Sequence, residues 1–228
     1  KKRTEDKYFM KNDLFTIGSI TIHGYGLMIG IGIIAAYYLA EYRANKRGMD
    51  VDMILSIAIC GVVCGILGAK LLYYVTIFDE ILANPKKLLD ISDGFVVYGG
   101  IIGGALALCL MSRRKKIGFF KLTDMIVPGV MLGQIIGRWG NFCNGEAFGS
   151  ETTLPWRMGL CNYETNYQMI YVHPTFLYES LWNLVGFILI NAFYKKRKYH
   201  GEVTMWYFTW YGLGRAFIEL LRTDSLML

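Results

Sequence analysis

Three long stretches of the chain contain no Asp, Glu, Lys or Arg: Leu14 to Ala40, Met53 to Ala69, and Gly94 to Ser112. Such runs approach or exceed the ~20 apolar residues with which a helix crosses a bilayer core. Only 18% of the 228 residues are charged, and 54% are hydrophobic. A soluble domain of this length would spread its charges along the chain, whereas here they are clumped between the apolar runs. The net charge of +6 does not point to nucleic acid for the same reason, and no nucleic-acid partner is expected. The pattern implies an all-α polytopic bundle embedded in a lipid bilayer.

Six spans are expected, at about 18–40, 54–76, 95–112, 122–141, 174–194 and 202–221, on the criterion of apolar length. Basic residues follow alternate spans: Arg43, Lys46 and Arg47 the first, Arg113, Arg114, Lys115, Lys116 and Lys121 the third, Lys195, Lys196, Arg197 and Lys198 the fifth. The loop after the second span, with Asp79, Glu80, Lys86, Lys87, Asp90 and Asp93, is net acidic, and Cys143 to His173 sets Glu146, Glu151 and Glu164 against Arg157. Cytoplasmic loops carry the Lys and Arg excess, so both acidic loops and both termini face outward. The basic tail 1–13 (Lys1, Lys2, Arg3, Lys7, Lys11) dissents, and Met10 is a candidate start that would leave 1–9 as upstream sequence. Residues 14–228 read as a single transmembrane domain, with 142–173 an outer-face loop region.

Several residue types have a bland reading. Tyr73, Tyr74, Trp139, Tyr178, Trp206 and Trp210 cluster toward span ends, as interfacial anchors do. Cys60 and Cys64 share a helical face and, with Cys109, read as small packing residues. Cys143 and Cys161 fall outside the spans and are either a pair or two unrelated thiols. Three scattered histidines provide no metal-site spacing, and no cofactor is expected. Gly26-xxx-Gly30 and Gly61-xxx-Gly65 read as close helix–helix packing faces. The denser run Gly99, Gly100, Gly103, Gly104 suggests a break or re-entrant turn, tolerated only where it is buried or lines a cavity.

Within the spans fall Lys70, Asp124, Arg138, Glu179, Glu202, Arg215 and Glu219. A charge at the bilayer centre costs on the order of 2.5–3.5 kcal/mol on insertion scales, so each needs a reason. Lys70, Asp124 and Glu202 lie near span ends and can snorkel or reach water. Arg215 and Glu219, spaced i, i+4, can pair on one helix face, with Tyr211 one turn before them. The densest polar stretch is Gly-Arg-Trp-Gly-Asn-Phe-Cys-Asn-Gly-Glu-Ala-Phe-Gly at 137–149. Its glycines allow tight turns and close backbone approach. Arg138, Asn141, Asn144 and Glu146 supply a cation, amides and a carboxylate at headgroup depth, and arginine grips a phosphate with two parallel hydrogen bonds. These residues imply a cavity toward the outer leaflet that recognises an anionic headgroup.

That thirteen-residue stretch closely resembles the signature of the prolipoprotein diacylglyceryl transferase family. Four further blocks agree in order. His-Gly-Tyr-Gly-Leu at 23–27 resembles the first-span motif, with Tyr25 at the functional tyrosine, and Gly-Gly-Ile-Ile-Gly-Gly at 99–104 resembles the glycine-rich third span. His-Pro-Thr-Phe-Leu-Tyr-Glu at 173–179 resembles the block opening the next helix, and 210–222 the block holding a functional tyrosine and arginine, here Tyr211 and Arg215. The resemblance covers essentially Gly24 to Asp224.

The resemblance implies an enzyme in the bacterial cytoplasmic membrane with its active site toward the outer face. Members move the diacylglyceryl group of phosphatidylglycerol to the lipobox cysteine thiol of a prolipoprotein signal peptide, forming a thioether and releasing glycerol phosphate. On this reading Arg138, Arg215 and Tyr98 are catalytic, while Tyr25, Asn141, Asn144, Glu146, Gly149, Tyr211 and Glu219 bind substrate. Two departures stand out. The family usually has a histidine before the third-span glycine pair, proposed to take the thiol proton, where this chain has Tyr98. Members also usually continue into a seventh helix. His23 and His173 are further candidates for the proton. Two other readings stay open: a paralogue with the same phospholipid pocket and another acceptor, and a non-enzymatic lipid-binding or transport protein.

Overall fold

The computed structural model describes residues 13–17, 20–89, 94–161 and 168–222. The expectations placed on Lys1, Lys2, Arg3, Lys7, Met10, Lys11, Asp90, Asp93, Glu164 and Asp224 lie outside those residues. A hairpin comes first, β1 (Asp13–Ile17) antiparallel to β2 (Ile20–His23), followed by α1 (Gly24–Asn45). Helix α2 (Val51–Thr76) is capped by the Asp50 side chain, which accepts from the Asp52 amide at 3.0 Å, satisfying an orphan first-turn donor. A short α3 (Phe78–Ala83) and a 3-10 turn (Pro85–Leu89) lead to α4 (Val97–Arg114) and α5 (Phe119–Asn144). Strands β3 (Met158–Leu160) and β4 (Ile170–Val172) pair antiparallel before α6 (Thr175–Phe193) and α7 (Glu202–Glu219).

The first helix begins later than expected, because Asp13–Ile17 and Ile20–His23 pair as strands. Their β-branched runs Thr16-Ile17 and Ile20-Thr21-Ile22 suit a pleated ladder better than a helix. The other five helices appear where the apolar runs put them. Four, over Gly24–Asn45, Val51–Thr76, Phe119–Asn144 and Thr175–Lys196, are long and apolar enough to cross a membrane. Glycines dilute α4, and Glu202, Arg215 and Glu219 dilute α7. Ile34, Leu71, Ile102, Phe208 and Phe217 are each more than half exposed, an apolar exterior that suits lipid rather than water.

Two compact units emerge, one from Ala40–Met125 and the other from residues up to Leu39 together with Ile126 onward. In the first, α2 and α4 touch backbone to backbone. A Cβ on Gly99 would overlap the Gly68 carbonyl, and one on Gly103 the Cys64 carbonyl. This corrects the expected break at 99–104: α4 is continuous, and its glycines are spent on close approach. The proposed Gly26/Gly30 face has nothing within 4 Å of an added Cβ, and neither does Gly61; Gly65 makes only an ordinary contact with Gly100. Gly103→Val is therefore expected to destabilise by about 3 kcal/mol, the upper range for overpacking. Gly104→Val faces open space and should melt like the parent in a detergent thermal-shift measurement.

Lys70 and Asp124, expected to reach water, are instead buried, Asp124 completely. The Lys70 ammonium lies 5.1, 5.1 and 5.2 Å from the ring centroids of Tyr73, Tyr74 and Phe95, within cation–π range. Cys60 Sγ and Cys64 Sγ are 4.0 Å apart, and Cys143 and Cys161 are free thiols.

In the second unit α1 packs on α5 through small residues, with a Cβ on Gly129 only 2.7 Å from the Ala36 carbonyl oxygen. Helices α5, α6 and α7 are tied pairwise. Ser180 Oγ donates to the Ile135 carbonyl at 3.1 Å, and Gln134 Nε2 to the Tyr207 hydroxyl at 2.8 Å. Between α6 and α7, Trp182 and Trp210 stack at 4.6 Å and 22°, and each indole Nε1 donates to the other's carbonyl at 2.9 Å. Each indole lies over a glycine of the opposite helix, Trp182 on Gly214 and Trp210 on Gly186. Trp210, expected as an interfacial anchor, is thus part of an interhelical clasp.

Candidate active site

Helix α5 runs through the first half of the 137–149 motif, so its early glycines make no turn. Gly140 admits Tyr25 from α1, with a Cβ there 3.1 Å from the Tyr25 ring. The chain turns only after Asn144, at Gly145 with φ 64°, and Ala147 has φ 54°. Gly149 closes the loop: its amide donates to the His173 carbonyl at 3.0 Å, it pairs with Arg222, and a Cβ would press on His173 and the Leu221 carbonyl. The Thr175 hydroxyl donates to the Ala147 carbonyl, and Glu151 pairs with Val172 of β4. The loop that follows α5 is thereby fastened to the beginning of α6 and the end of α7.

One residue from each of three helices then meets at a single carboxylate. Glu179 of α6 holds Arg138 Nη2 of α5 by Oε2 at 2.6 Å and Arg215 Nη1 of α7 by Oε1 at 2.9 Å. The chain of contacts extends both ways. Arg215 Nη2 reaches Glu219 Oε2 at 2.6 Å, the i, i+4 pair read from spacing. Arg138 Nη1 donates to Asn141 Oδ1 at 3.4 Å, and Asn141 Nδ2 donates to Glu146 Oε1 at 2.8 Å. The two guanidinium side chains keep 20% and 22% exposure, against 4% for Glu179. Both cations therefore open to a space that the bridging carboxylate does not. Buried charge is tolerated because each group has a charged partner.

The sequence-predicted residues divide. Arg138, Asn141, Glu146, Arg215 and Glu219 form one network through Glu179, and the Tyr25 ring lies against Gly140 between Arg138 and Asn144 in sequence. Tyr211 stacks on Tyr207 at 5.8 Å and 18°, against a core of Val127, Met131, Ile190 and Val203. Asn144 is the half-buried last residue of α5 and, among the described residues, joins no hydrogen bond of the network; Gly149 contributes a tight backbone junction. Tyr98 lies in the first turn of α4, in the other unit, with 52% exposure. His173 has a structural partner, its Nδ1 lying 3.2 Å from the Tyr178 hydroxyl, which also accepts from Trp156 Nε1 at 2.8 Å. Glu179 had no assigned role in the sequence, although it is the lone carboxylate of its apolar run and so needed a cation.

Chemically, two guanidiniums converging on paired oxygens form a site for an oxyanion. Among the described residues, no group of three His, Cys, Asp or Glu side chains could hold a metal ion.

Comparison with known proteins gives a consistent result. The family model described as prolipoprotein diacylglyceryl transferase matches residues 12–228. The chain is similar to the phosphatidylglycerol–prolipoprotein diacylglyceryl transferase of Listeria innocua, 41% identical over 217 residues, covering 92% of this chain and 78% of that one. The proteins of the same name from Clostridioides difficile and Bacillus cereus are 40% and 39% identical over 215 and 218 residues, covering 94% and 93% of this chain and 84% and 81% of theirs.

Proposed function

The chain belongs to the prolipoprotein diacylglyceryl transferase family, and on that premise we propose that it transfers the diacylglyceryl group of phosphatidylglycerol to the lipobox cysteine thiol of a prolipoprotein. The observation that carries the reading is the fork of Arg138 and Arg215 on Glu179. A phosphodiester presents paired anionic oxygens like those of the carboxylate, and the two guanidiniums that Glu179 holds from its buried side keep 20% and 22% exposure with which to take it.

In the reaction the cysteine sulfur attacks the glyceryl carbon that bears the phosphate. The S–C bond forms, the C–O bond breaks, and the bonding pair leaves on the phosphate oxygen. The phosphate passes from a monoanion to a dianion, and that added charge is what two preorganised guanidiniums favour in the transition state over the ground state. Asn141 and Glu146 orient Arg138, as Glu219 orients Arg215. The nucleophile must be a thiolate, so a base takes the thiol proton. Tyr98 stands at the family's histidine position, which assigns that role to it. All six long helices span the membrane in this reading, with the acidic loops and the network on the outer face of the cytoplasmic membrane, since the basic loops hold the cytoplasmic side.

The test mixes the purified protein with phosphatidylglycerol and a lipobox peptide and follows peptide mass. Gain of a diacylglyceryl group is expected. Lipid consumption without peptide modification would replace this reading with a different acceptor, and solute or lipid flux in liposomes without turnover would replace it with transport. Tyr98→Phe and Tyr98→His variants belong in the same assay. With Tyr98 as the base, Phe abolishes and His restores transfer, whereas equal activity in both removes Tyr98 from that role.

A further inference from the structure

At the opposite end of α6 from the charge network, the turn Tyr194–Lys196 and the first turn of α7 enclose a cavity of about 120 Å³. Its floor is apolar: Ile190, Phe193, Val203 and Trp206, with Phe193 and Trp206 rings 5.9 Å apart. Its rim is basic. The Lys196 ammonium sits 5.5 Å over the Phe193 ring, and the Arg197 guanidinium 5.1 Å over Tyr194. Arg197 Nη1 is buried and has no hydrogen-bond partner among the described residues. Glu202 also lines the cavity, with Oε2 accepting the Lys198 amide at 2.6 Å, so one of its oxygens already serves to fold the loop. Four cations, Lys195 to Lys198, outnumber it.

We infer that this cavity binds the headgroup of an anionic phospholipid of the cytoplasmic leaflet. An apolar floor under a basic rim fits an amphiphile with a phosphate, not a free phosphate, which has no use for the floor. Basic pockets between membrane helices on the cytoplasmic side hold anionic headgroups in this way, and Trp206 stands where interfacial aromatics contact lipid. The unpartnered Arg197 nitrogen gives the phosphate a donor. The site is separate from the charge network and does not depend on its chemistry. It rests on the orientation that puts the basic loops in the cytoplasm.

The experiment uses the full chain in nanodiscs carrying either phosphatidylglycerol or phosphatidylcholine with a photoreactive group near the headgroup, followed by mapping of the labelled peptides. Labelling of 190–206 by the phosphatidylglycerol probe is expected to exceed that by the phosphatidylcholine probe by about fivefold or more, the effect of a single basic residue at a lipid surface. Lys196→Gln with Arg197→Gln should erase the difference there while labelling of 137–149 persists, and the charge-preserving Lys196→Arg with Arg197→Lys should retain it. Equal labelling by both probes at 190–206 overturns the proposal. So does full competition by millimolar inorganic phosphate, which assigns the site to a free anion. Loss of labelling at 137–149 alone counts against the substrate pocket and leaves this site standing.

Discussion

Arg138→Ala is expected to lower diacylglyceryl transfer by about 10²–10³-fold, the range for removing one preorganised oxyanion donor, with little change in melting temperature. The two readouts separate because of how the network is shared. Without Arg138, Glu179 keeps Arg215 at 2.9 Å, and Arg215 keeps Glu219 at 2.6 Å. No carboxylate is stranded, so the structural cost is small. The loss falls on the charge that develops as glycerol phosphate departs, which lowers kcat more than it raises KM. Arg138→Lys restores the charge but not the fork and should recover only part of the rate. Initial rates of peptide lipidation in nanodiscs, measured beside a thermal melt, check this. A folded Arg138→Ala protein with near-normal kcat would remove Arg138 from the phosphate.

Glu179→Ala produces the opposite balance. Two guanidiniums from different helices lose their common counter-ion at a position where the carboxylate is 4% exposed. Breaking a buried ion pair by removing one partner costs about 3–5 kcal/mol, so this variant should lose both thermal stability and transfer. Glu179→Gln keeps an oxygen to accept from one arginine and should fall between the two in stability. A Glu179→Ala protein that melts like the parent would show that the fork contributes nothing to holding α5, α6 and α7 together. Comparing the two substitutions distinguishes a residue that acts on the substrate from one that assembles the residues that do.

The helices were legible in the sequence because a charge-free run bounded by basic residues has few alternatives in a membrane. The 137–149 motif was legible for its composition, and Arg215 with Glu219 for their spacing. Glu179 stood out only as a costly charge within a span; its partners did not, since Arg215 lies 36 residues away and i, i+4 reasoning does not reach across helices. The glycines of α4 misled for a related reason: composition shows that small residues are present, not whether they serve a bend or a contact. Gly68 and Gly103 answer that only together, one on each helix. The strands β1 and β2 were hidden within a longer apolar run, where β-branching was the cue.

The tryptophan clasp has a consequence for how α6 and α7 come to rest. In both helices a tryptophan precedes a glycine by four residues, Trp182 and Gly186, Trp210 and Gly214, so each helix is both key and keyhole for the other. Sliding one helix past the other by a single turn, ~5.4 Å, would drive both indoles off their glycines and break both reciprocal hydrogen bonds in the same motion. No intermediate offset retains half of the fit. Alignment of the two helices is therefore all-or-none, and so is the meeting of Glu179 with Arg215, which sit three residues from Trp182 and one from Gly214. During insertion the clasp acts as a gauge: a misplaced turn parts buried Glu179 from Arg215, which keeps only Glu219 of its own helix, and the aligned state alone escapes that cost.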